Sequence, residues 1–272
     1  MDWLYHYTNV ETLALIMSRK TIRFNALNRV DDLQEKETAD LKNLGQFCFV
    51  SCWTEDPEEQ IPMWKMYGNI ESGVRIKLRT FPFKNKDNIP SELERVTGNP
   101  VADNTNGTPL KSLLTVAELM EKKVITPGLV QQSNILFKVE YSTDKEKLYP
   151  RVLSQDESGT QIALGKLGKY KNKGWSFQKE WRYIVLFLPL DISDVTNAEV
   201  RFAEMMRGMI SGKSVLPFSY YDIDIDDDAF SEMEIMLSPK LSPGNRVLVK
   251  DLVEKYNPSA KIVESIYKGL IN

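Results

Sequence analysis

The chain contains one histidine, and this residue limits the chemistry available to the protein. His6 lies in the segment Tyr5-His6-Tyr7-Thr8, between two tyrosines and before a threonine hydroxyl. A single histidine excludes metal sites built from several histidines, and any Ser/His or Cys/His hydrolase would need His6 as its base. By itself, a lone histidine is more often structural than functional, because a ring nitrogen can satisfy a backbone group.

A second candidate for chemistry is a carboxylate at the start of the most apolar segment. Glu180 follows Gln178 and Lys179 and comes directly before 181–188 (WRYIVLFL). A glutamate at the entrance of a strand points either into a cleft or out to solvent. In the second case, Glu180 would form an ordinary surface pair with Arg182. Composition alone does not decide between these two interpretations.

The two cysteines are not predicted to form a disulfide or a metal site. Cys48 and Cys52 lie in FCFVSCW, and their even separation places both on one face of a strand, which is poor disulfide geometry. A CxxxC spacing without further cysteine or nearby histidine is not a metal signature. We interpret both residues as small buried hydrophobic side chains, and we expect no metal cofactor.

The composition is that of a globular protein outside the membrane. Of the 272 residues, 42% are hydrophobic and 27% are charged. No run of about 18 apolar residues occurs, and the first ten residues lack the regions of a signal peptide, so we expect a cytoplasmic protein without a membrane partner. The net charge of −3 does not indicate a general nucleic-acid binder, although lysines cluster between Lys166 and Arg182.

Hydrophobic periodicity predicts an α+β chain, and because mixed-sheet proteins of this length often form one unit, we expect a single domain over 1–272. Segment 81–107 is rich in Asn, Pro and Lys without a period, so we expect an insertion of loop and helix over about 81–134. Helices are predicted after the cap residue Asn9 over 10–17, and at 62–67, 110–123 and 247–256. Strands are predicted at 3–8, 21–25, 46–53, 73–78, 135–141, 181–188, 233–237 and 261–267.

A series of short motifs runs through the chain in a fixed order. The motifs are Tyr5-His6-Tyr7-Thr8, Asp31-Asp32-Leu33-Gln34-Glu35, Ser51-Cys52-Trp53, Met63-Trp64-Lys65-Met66-Tyr67, Gly73-Val74, Lys179-Glu180-Trp181-Arg182 and Glu234-Ile235-Met236-Leu237-Ser238-Pro239. This series resembles that of a bacterial family of uncharacterised, abortive-infection-associated proteins within the ADP-ribosyltransferase superfamily. The resemblance spans essentially the whole chain and rests on the order of the motifs.

The chain departs from the family pattern at a few positions. Asp31 and Leu33 stand where the family tends to have Asn and Pro, and Trp53 stands where a second serine is common. Gln178-Lys179-Glu180 resembles the Gln-x-Glu turn of transferases that modify amides or guanine bases. It differs from the Glu-x-Glu form that is associated with arginine modification.

The resemblance implies an ADP-ribosyltransferase-like fold, with two packed, mostly antiparallel sheets around an NAD cleft and with flanking helices. It also implies that Glu180, His6 and Tyr67 are catalytic. Glu180 would bind the ribose 2′-hydroxyl, His6 would hold the adenosine-side ribose, and Tyr67 would stack on the nicotinamide. Cleavage of the nicotinamide–ribose bond develops positive charge on the sugar, which a nearby carboxylate stabilises.

The resemblance further implies a set of NAD-binding residues. The backbone beside Tyr7 would pair with the nicotinamide amide, and Ser51 would contact the nicotinamide-side ribose. Lys179 and Arg182 would contact a phosphate or the acceptor, although strand neighbours face opposite ways, so both need not enter the cleft. For the stacking role of Tyr67, Tyr7 or Tyr183 could serve instead. The full implied set is His6, Tyr7, Thr8, Ser51, Tyr67, Gln178 and Arg182.

The function expected from this resemblance is mono-ADP-ribosyl transfer from NAD to a macromolecular acceptor in a toxin or phage-defence setting. Gln178 and the lysine cluster favour a nucleic-acid acceptor over a protein acceptor. Such a setting would bring an antitoxin or a defence-system partner. Two alternatives remain open: a non-catalytic interaction or nucleotide-sensing protein on the same fold, and an NAD glycohydrolase in which water replaces the acceptor.

Overall fold

The computed structural model describes residues 1–88, 110–157, 159–191 and 197–271 of the chain. Most of the loop predicted within 81–107 lies outside these residues. None of the helices in the described ranges is both long enough and apolar enough to cross a membrane.

The described residues form short strands and helices in a mixed order. The strands are β1 (Trp3–Asn9), β2 (Thr21–Ala26), β3 (Cys48–Thr54), β4 (Gly73–Arg79), β5 (Lys86–Asn88), β6 (Leu110–Ser112), β7 (Leu136–Lys138), β8 (Glu140–Ser142), β9 (Leu153–Asp156), β10 (Gly159–Ile162), β11 (Tyr170–Asn172), β12 (Glu180–Leu186), β13 (Tyr220–Asp224), β14 (Glu234–Leu237) and β15 (Lys261–Glu264). The α-helices are α1 (Val10–Arg19), α2 (Ile61–Met63), α3 (Val116–Lys122), α4 (Gln132–Ile135), α5 (Lys145–Leu148), α6 (Ala198–Ile210), α7 (Asp227–Ser231) and α8 (Pro243–Tyr256).

The first helix begins at Val10, as its sequence predicts, and extends two residues beyond the predicted end, to Arg19. The Asn9 side chain accepts a hydrogen bond from the Thr12 backbone N–H at 2.8 Å, which caps α1. The helix buries Val10, Leu13, Ile16 and Met17, spaced on one face. It therefore packs against the sheet along one side and ends immediately before β2.

Nine strands form one branched sheet, and the branch point is β3. One edge of β3 pairs with β12 along its whole length, from Cys48↔Leu186 to Thr54↔Glu180. Its other edge is divided, because β2 pairs at Phe49 and Val50 whereas β1 pairs only at Thr54. Strands β4, β14 and β15 continue from β1, β13 continues from β2, and β7 pairs with β12.

The two faces of β3 and β12 contact different hydrophobic cores. The larger core contains Phe49 and Trp53 together with side chains from β1, β2, β4, β14, α1 and α8. The second core contains Cys48, Val50 and Ile184, and α6 covers part of it with Met205 and Met209. Alternation along β3 thus directs odd-numbered side chains to the first core and even-numbered ones to the second.

The α+β prediction is confirmed, with several local differences. We expected two separate packed sheets, but the main strands form one continuous sheet because β3 pairs on both edges. The helix predicted at 110–123 is a strand, β6, followed by the shorter α3, which begins at the capping box of Thr115 and Glu118. The strand predicted at 135–141 is interrupted at Val139 and forms β7 and β8. The helix predicted at 62–67 is α2 followed by a π-helical turn, Trp64–Gly68.

Candidate functional site

A cavity of about 520 Å³ lies where β1 and β2 separate along the edge of β3. Its walls come from β1, α1, β2 and β3 and from the segment that leads into β12. The structure brings all eight sequence-predicted site residues to this cavity, although they are spread over 177 positions of the chain; they are His6, Tyr7, Thr8, Ser51, Tyr67, Gln178, Glu180 and Arg182.

His6 occupies the point where β1 leaves β3. Beyond the Tyr5↔Thr54 pair, the next antiparallel rung would join Tyr7 to Cys52. Instead, the Nδ1 of His6 lies 2.8 Å from the Cys52 carbonyl oxygen. A carbonyl oxygen can only accept, so Nδ1 carries the proton and Nε2 of the neutral ring is an acceptor. Among the residues that the structure describes, Nε2 has no hydrogen-bond partner.

Burial keeps the His6 ring neutral. It lowers the pKa of His6 below its ordinary value, and the hydrogen bond to Cys52 opposes this shift only in part. The ring also packs against Trp53, with 5.1 Å between ring centroids. His6 is therefore held in one orientation with one nitrogen available to a ligand.

The backbone of Tyr7 lies on an open strand edge. Val10 N–H donates to the Ser72 carbonyl and Thr80 N–H donates to the Asp2 carbonyl, so even-numbered residues of β1 direct their backbone groups toward β4. The N–H and C=O of Tyr7 must then face the opposite edge. That edge has no strand partner at Tyr7 among the described residues. The arrangement presents one donor and one acceptor side by side.

The Tyr7 side chain lies on the face of β1 opposite to that of the His6 side chain, because neighbouring residues of a strand alternate between its two faces. Its hydroxyl accepts a hydrogen bond from the Gln60 backbone N–H at 3.1 Å, and its ring packs edge-on against Trp64 with 4.8 Å between centroids. The ring of Tyr7 is therefore held by its contact with Trp64. This geometry leaves Tyr67 as the better placed of these two tyrosines for stacking on a ligand, and Tyr183 is fully buried in the larger core.

Tyr67 and Gln178 are joined across the cavity wall. The Gln178 amide nitrogen donates to the Tyr67 hydroxyl at 2.6 Å, and its carbonyl oxygen accepts from Lys171 Nζ at 2.8 Å. Burial raises the pKa of Tyr67, and the charges of Asp31 and Glu180 raise it further. Tyr67 is therefore a neutral phenol whose ring position is fixed by Gln178.

Glu180 belongs to a buried cluster of four charges. Its Oε1 accepts from Arg182 Nε at 2.6 Å, and its Oε2 lies 3.1 Å from Lys171 Nζ. Glu35 completes the cluster through ion pairs with both cations. Each of the four side chains is at least 95% buried, and their formal charges sum to zero.

The cluster keeps Glu180 ionised. Burial alone would raise its pKa, but Arg182, Lys171 and the Cys52 thiol together lower the pKa to about 2. The Glu180 backbone N–H also donates to the Tyr141 hydroxyl at 2.8 Å, which positions the start of β12. The site thus contains an anion whose charge is balanced in the resting protein.

Ser51 and Thr8 are buried polar residues of the cavity wall. The Ser51 hydroxyl accepts from Trp53 Nε1 at 3.0 Å and retains its own proton for donation. Trp53 therefore orients Ser51.

Arg182 requires a revised interpretation. We expected it to contact a phosphate or the acceptor, but only 1% of its side chain is exposed, and its Nε and Nη1 bind Glu180, Glu35 and the Gly168 carbonyl. Its guanidinium holds the carboxylate of Glu180 in place. Lys179, the other cation proposed for this role, points to solvent and pairs with Asp56 at 2.8 Å.

Several residues of the site were missed by the sequence prediction. Glu35 lies 145 positions before Glu180, and Lys171, nine positions before it, belongs to a different strand, so only the tertiary structure places both beside Glu180. Three arginines also line the cavity: Arg19, Arg23 and Arg29. Asp222 holds Arg23 with two hydrogen bonds of 2.8 and 3.0 Å, whereas the exposed Arg29 has no ion pair among the described residues. Within the described ranges, no group of three or more His, Cys, Asp or Glu side chains could hold a metal ion.

Comparison with protein families finds one match. Residues 63–183 match a family described as "Protein of unknown function (DUF2971)". The match covers less than half of the chain and includes Tyr67, Gln178, Glu180 and Arg182, but it begins after His6. This description does not connect the chain to ADP-ribosyltransferases. Comparison with curated proteins and with solved structures finds no match.

Proposed function

We propose that this cavity binds NAD and that the protein transfers ADP-ribose from NAD to a macromolecular acceptor. One observation carries the proposal: Tyr7, with its open backbone edge, lines a single cavity of about 520 Å³ together with His6, Tyr67 and Glu180. A volume of this size is in the usual range for cofactor sites. The motif resemblance independently suggests NAD for the same residues.

The nicotinamide end would bind at Tyr7. A carboxamide has one C=O and one NH₂, which complement the N–H and C=O that Tyr7 presents on the free edge of β1. The ring of Tyr67 would then cover the nicotinamide, and offset stacking of this kind contributes roughly 1 kcal/mol. The Nε2 of His6 would accept a hydrogen bond from a ribose hydroxyl.

The pyrophosphate would bind near Arg29, in the turn that follows β2, and near the arginines of α1 and β2. Arg29 is exposed at the cavity and has no ion pair among the described residues, so its guanidinium can bind a phosphate without breaking an existing contact. Arg23 and Arg19 are already paired with Asp222. Phosphate binding at these two residues would compete with that carboxylate.

Glu180 would act on the ribose. The bond between C1′ and the nicotinamide nitrogen breaks, and its electron pair leaves with neutral nicotinamide. The positive charge that develops on the ribose is stabilised by the Glu180 carboxylate, which also accepts a hydrogen bond from the 2′-hydroxyl. A nucleophile of the acceptor then bonds to C1′ and loses its proton to solvent or a nearby base.

One observation favours a second function. Both carboxylate oxygens of Glu180 already contact cations, so the resting site presents little net negative charge to a sugar. This arrangement also suits a protein that binds a nucleotide without cleaving it. We place the transferase first because the cavity walls combine this acid with the free backbone edge and the available His6 nitrogen.

Labelled NAD tests the proposal and separates the acceptor classes. The purified protein is incubated with adenine-labelled NAD and a cell lysate, and the products are digested with nuclease or protease. We expect macromolecular label that nuclease removes, in keeping with a nucleic-acid acceptor. Glu180→Gln should abolish this label, whereas Glu140→Gln, which alters an exposed glutamate on β8, should not.

Other outcomes of this experiment identify the alternatives. Label that protease removes means a protein acceptor. Nicotinamide release without macromolecular label means hydrolysis. If the wild-type protein binds NAD but yields neither product, the transferase is rejected in favour of the binding protein.

A further inference from the structure

The buried charge cluster contains one contact that is left incomplete. The Nε and Nη1 groups of the Arg182 guanidinium already have hydrogen-bond partners. Nε donates to Glu180, and Nη1 donates to both Glu35 and the Gly168 carbonyl. Lys171 is shared among three oxygens: Gln178 Oε1 at 2.8 Å, Glu180 Oε2 at 3.1 Å and Glu35 Oε1 at 3.3 Å. The contact with Glu35 lacks hydrogen-bond geometry, and Glu35 Oε1 is buried with no hydrogen-bond partner.

A buried carboxylate oxygen without a hydrogen bond is costly. The structure retains one within 3.3 Å of an ammonium group that is bonded elsewhere. Lysine has a flexible stem and a compact charge with three donors, so its Nζ can move between neighbouring oxygens, whereas the planar Arg182 cannot. Glu35 Oε1 is thus a second position for the Lys171 ammonium.

We propose that Lys171 is a positioning residue that moves from Glu180 Oε2 to Glu35 Oε1 when a ribose hydroxyl enters the cavity. This inference rests on the proposed function. The movement releases Glu180 Oε2 to accept from the 2′-hydroxyl, and it takes a positive charge away from the sugar. Arg182 keeps Oε1 fixed throughout, so the carboxylate does not turn. Glu35 acts through Lys171 and does not touch the substrate.

The movement explains how the Glu180 carboxylate can be neutralised by Lys171 in the resting protein and still offer a negative charge to the ribose during the reaction. In the resting protein, Lys171 balances the charge of Glu180 in the cavity wall, where both side chains are only 5% exposed. When the ligand supplies a hydrogen bond to Oε2, the ammonium completes the contact with Glu35 instead. The total number of buried charges stays the same, so the exchange avoids leaving an unpaired charge.

A double-mutant cycle tests the movement without relying on activity. Glu35→Gln, Lys171→Met and the charge-balanced double variant are unfolded by heat, and the non-additive part of their Tm shifts measures the coupling between the two residues. The cycle is repeated at saturating concentration of a carbocyclic NAD analogue, which keeps the 2′-hydroxyl but cannot be cleaved. The exposed pair Lys147 and Glu140 provides the matched control cycle.

We expect the Lys171–Glu35 coupling to grow when the analogue binds, and the Lys147–Glu140 coupling to stay constant. In addition, Glu35→Gln should lower kcat for nicotinamide release at least tenfold with little change in KM, and Glu35→Asp should restore part of it. Unchanged coupling in a protein that binds the analogue would overturn the movement but leave the proposed function intact. Absence of binding and of NAD cleavage in the wild-type protein would overturn both.

Discussion

His6 shows how one side chain can both shape a sheet and prepare a ligand site. Its Nδ1–H takes the Cys52 carbonyl that Tyr7 would otherwise bond, so β1 leaves β3 at this residue. Two groups become available as a result: the Nε2 of His6 and the backbone of Tyr7. The structural role of this histidine therefore belongs to Nδ1, and the functional role proposed for it belongs to Nε2 of the same ring.

The protonation of His6 gives the first residue-scale prediction. Burial lowers the pKa of His6 below 6.5, so the folded protein resists protonation and loses stability as the pH falls below 6.5. The chain has one histidine, so NMR of the imidazole C–H groups follows this residue alone. We expect a titration midpoint below 6.5 in the folded protein and near 6.5 in urea. A folded-state midpoint at or above 6.5 would contradict the buried, neutral ring.

The second residue-scale prediction concerns Glu180→Gln. Removing one charge from the buried cluster leaves a cation without its partner, which costs about 3–5 kcal/mol. The pKa of Glu180 is lowered from 4.5 to about 2, so the stability it contributes is complete above pH 4.5 and is lost as the pH falls toward 2. Urea denaturation at pH 7 should therefore give a much lower free energy of unfolding for the variant than for the wild type.

The difference in unfolding free energy between wild type and Glu180→Gln should become smaller below pH 4.5. The matched variant Glu140→Gln alters an exposed pair and should cost less than about 1 kcal/mol at either pH. A similar small loss for Glu180→Gln at pH 7 would show that the four charges do not act as a buried cluster.

At the scale of elements, the π-helical turn Trp64–Gly68 places Tyr67 at the cavity. Two glycines allow this turn to approach β4. A Cβ on Gly73 would lie 3.0 Å from the Asn69 carbonyl oxygen and 3.1 Å from the Gly68 Cα. Both obstacles are backbone atoms, so they cannot move aside as a side-chain end would.

Gly73→Ala tests this close approach. We expect a loss of roughly 1–3 kcal/mol of unfolding free energy, measured by urea denaturation, because the added methyl group forces the turn away from β4. The displaced Tyr67 should also weaken NAD binding. Gly128→Ala is the matched control, since a Cβ at Gly128 meets no atom within 4 Å. Equal stability of the two variants would contradict the packing described for this turn.

At the scale of the whole molecule, the sequence predicted the elements better than their assembly. Local periodicity and capping locate α1, β3 and β12, because each is determined by residues close in sequence. The cluster around Glu180 was not predictable in this way. Glu35 and Arg182 are 147 positions apart, and Glu35 lies outside every helix and strand, so no period marks it.

The placement of His6 and Glu180 on one cavity likewise depends on strand pairing rather than on composition. It requires β3 to pair with β12 along its full length and with β1 at a single residue. One interpretation of the sequence paired Glu180 with Arg182 at the surface; the pair forms, but it is buried beside Lys171. The interpretation of Arg182 as a phosphate ligand therefore followed the motif and missed its burial.

The most direct test of this account is an NAD titration followed through the imidazole signal of His6 at neutral pH. If NAD occupies the cavity beside β1, this single signal should shift saturably, because the ribose hydroxyl bonds to Nε2. The half-saturation concentration should match that of calorimetry. Calorimetric binding of NAD that leaves the His6 signal unmoved, or no binding at all, would contradict the NAD site proposed here.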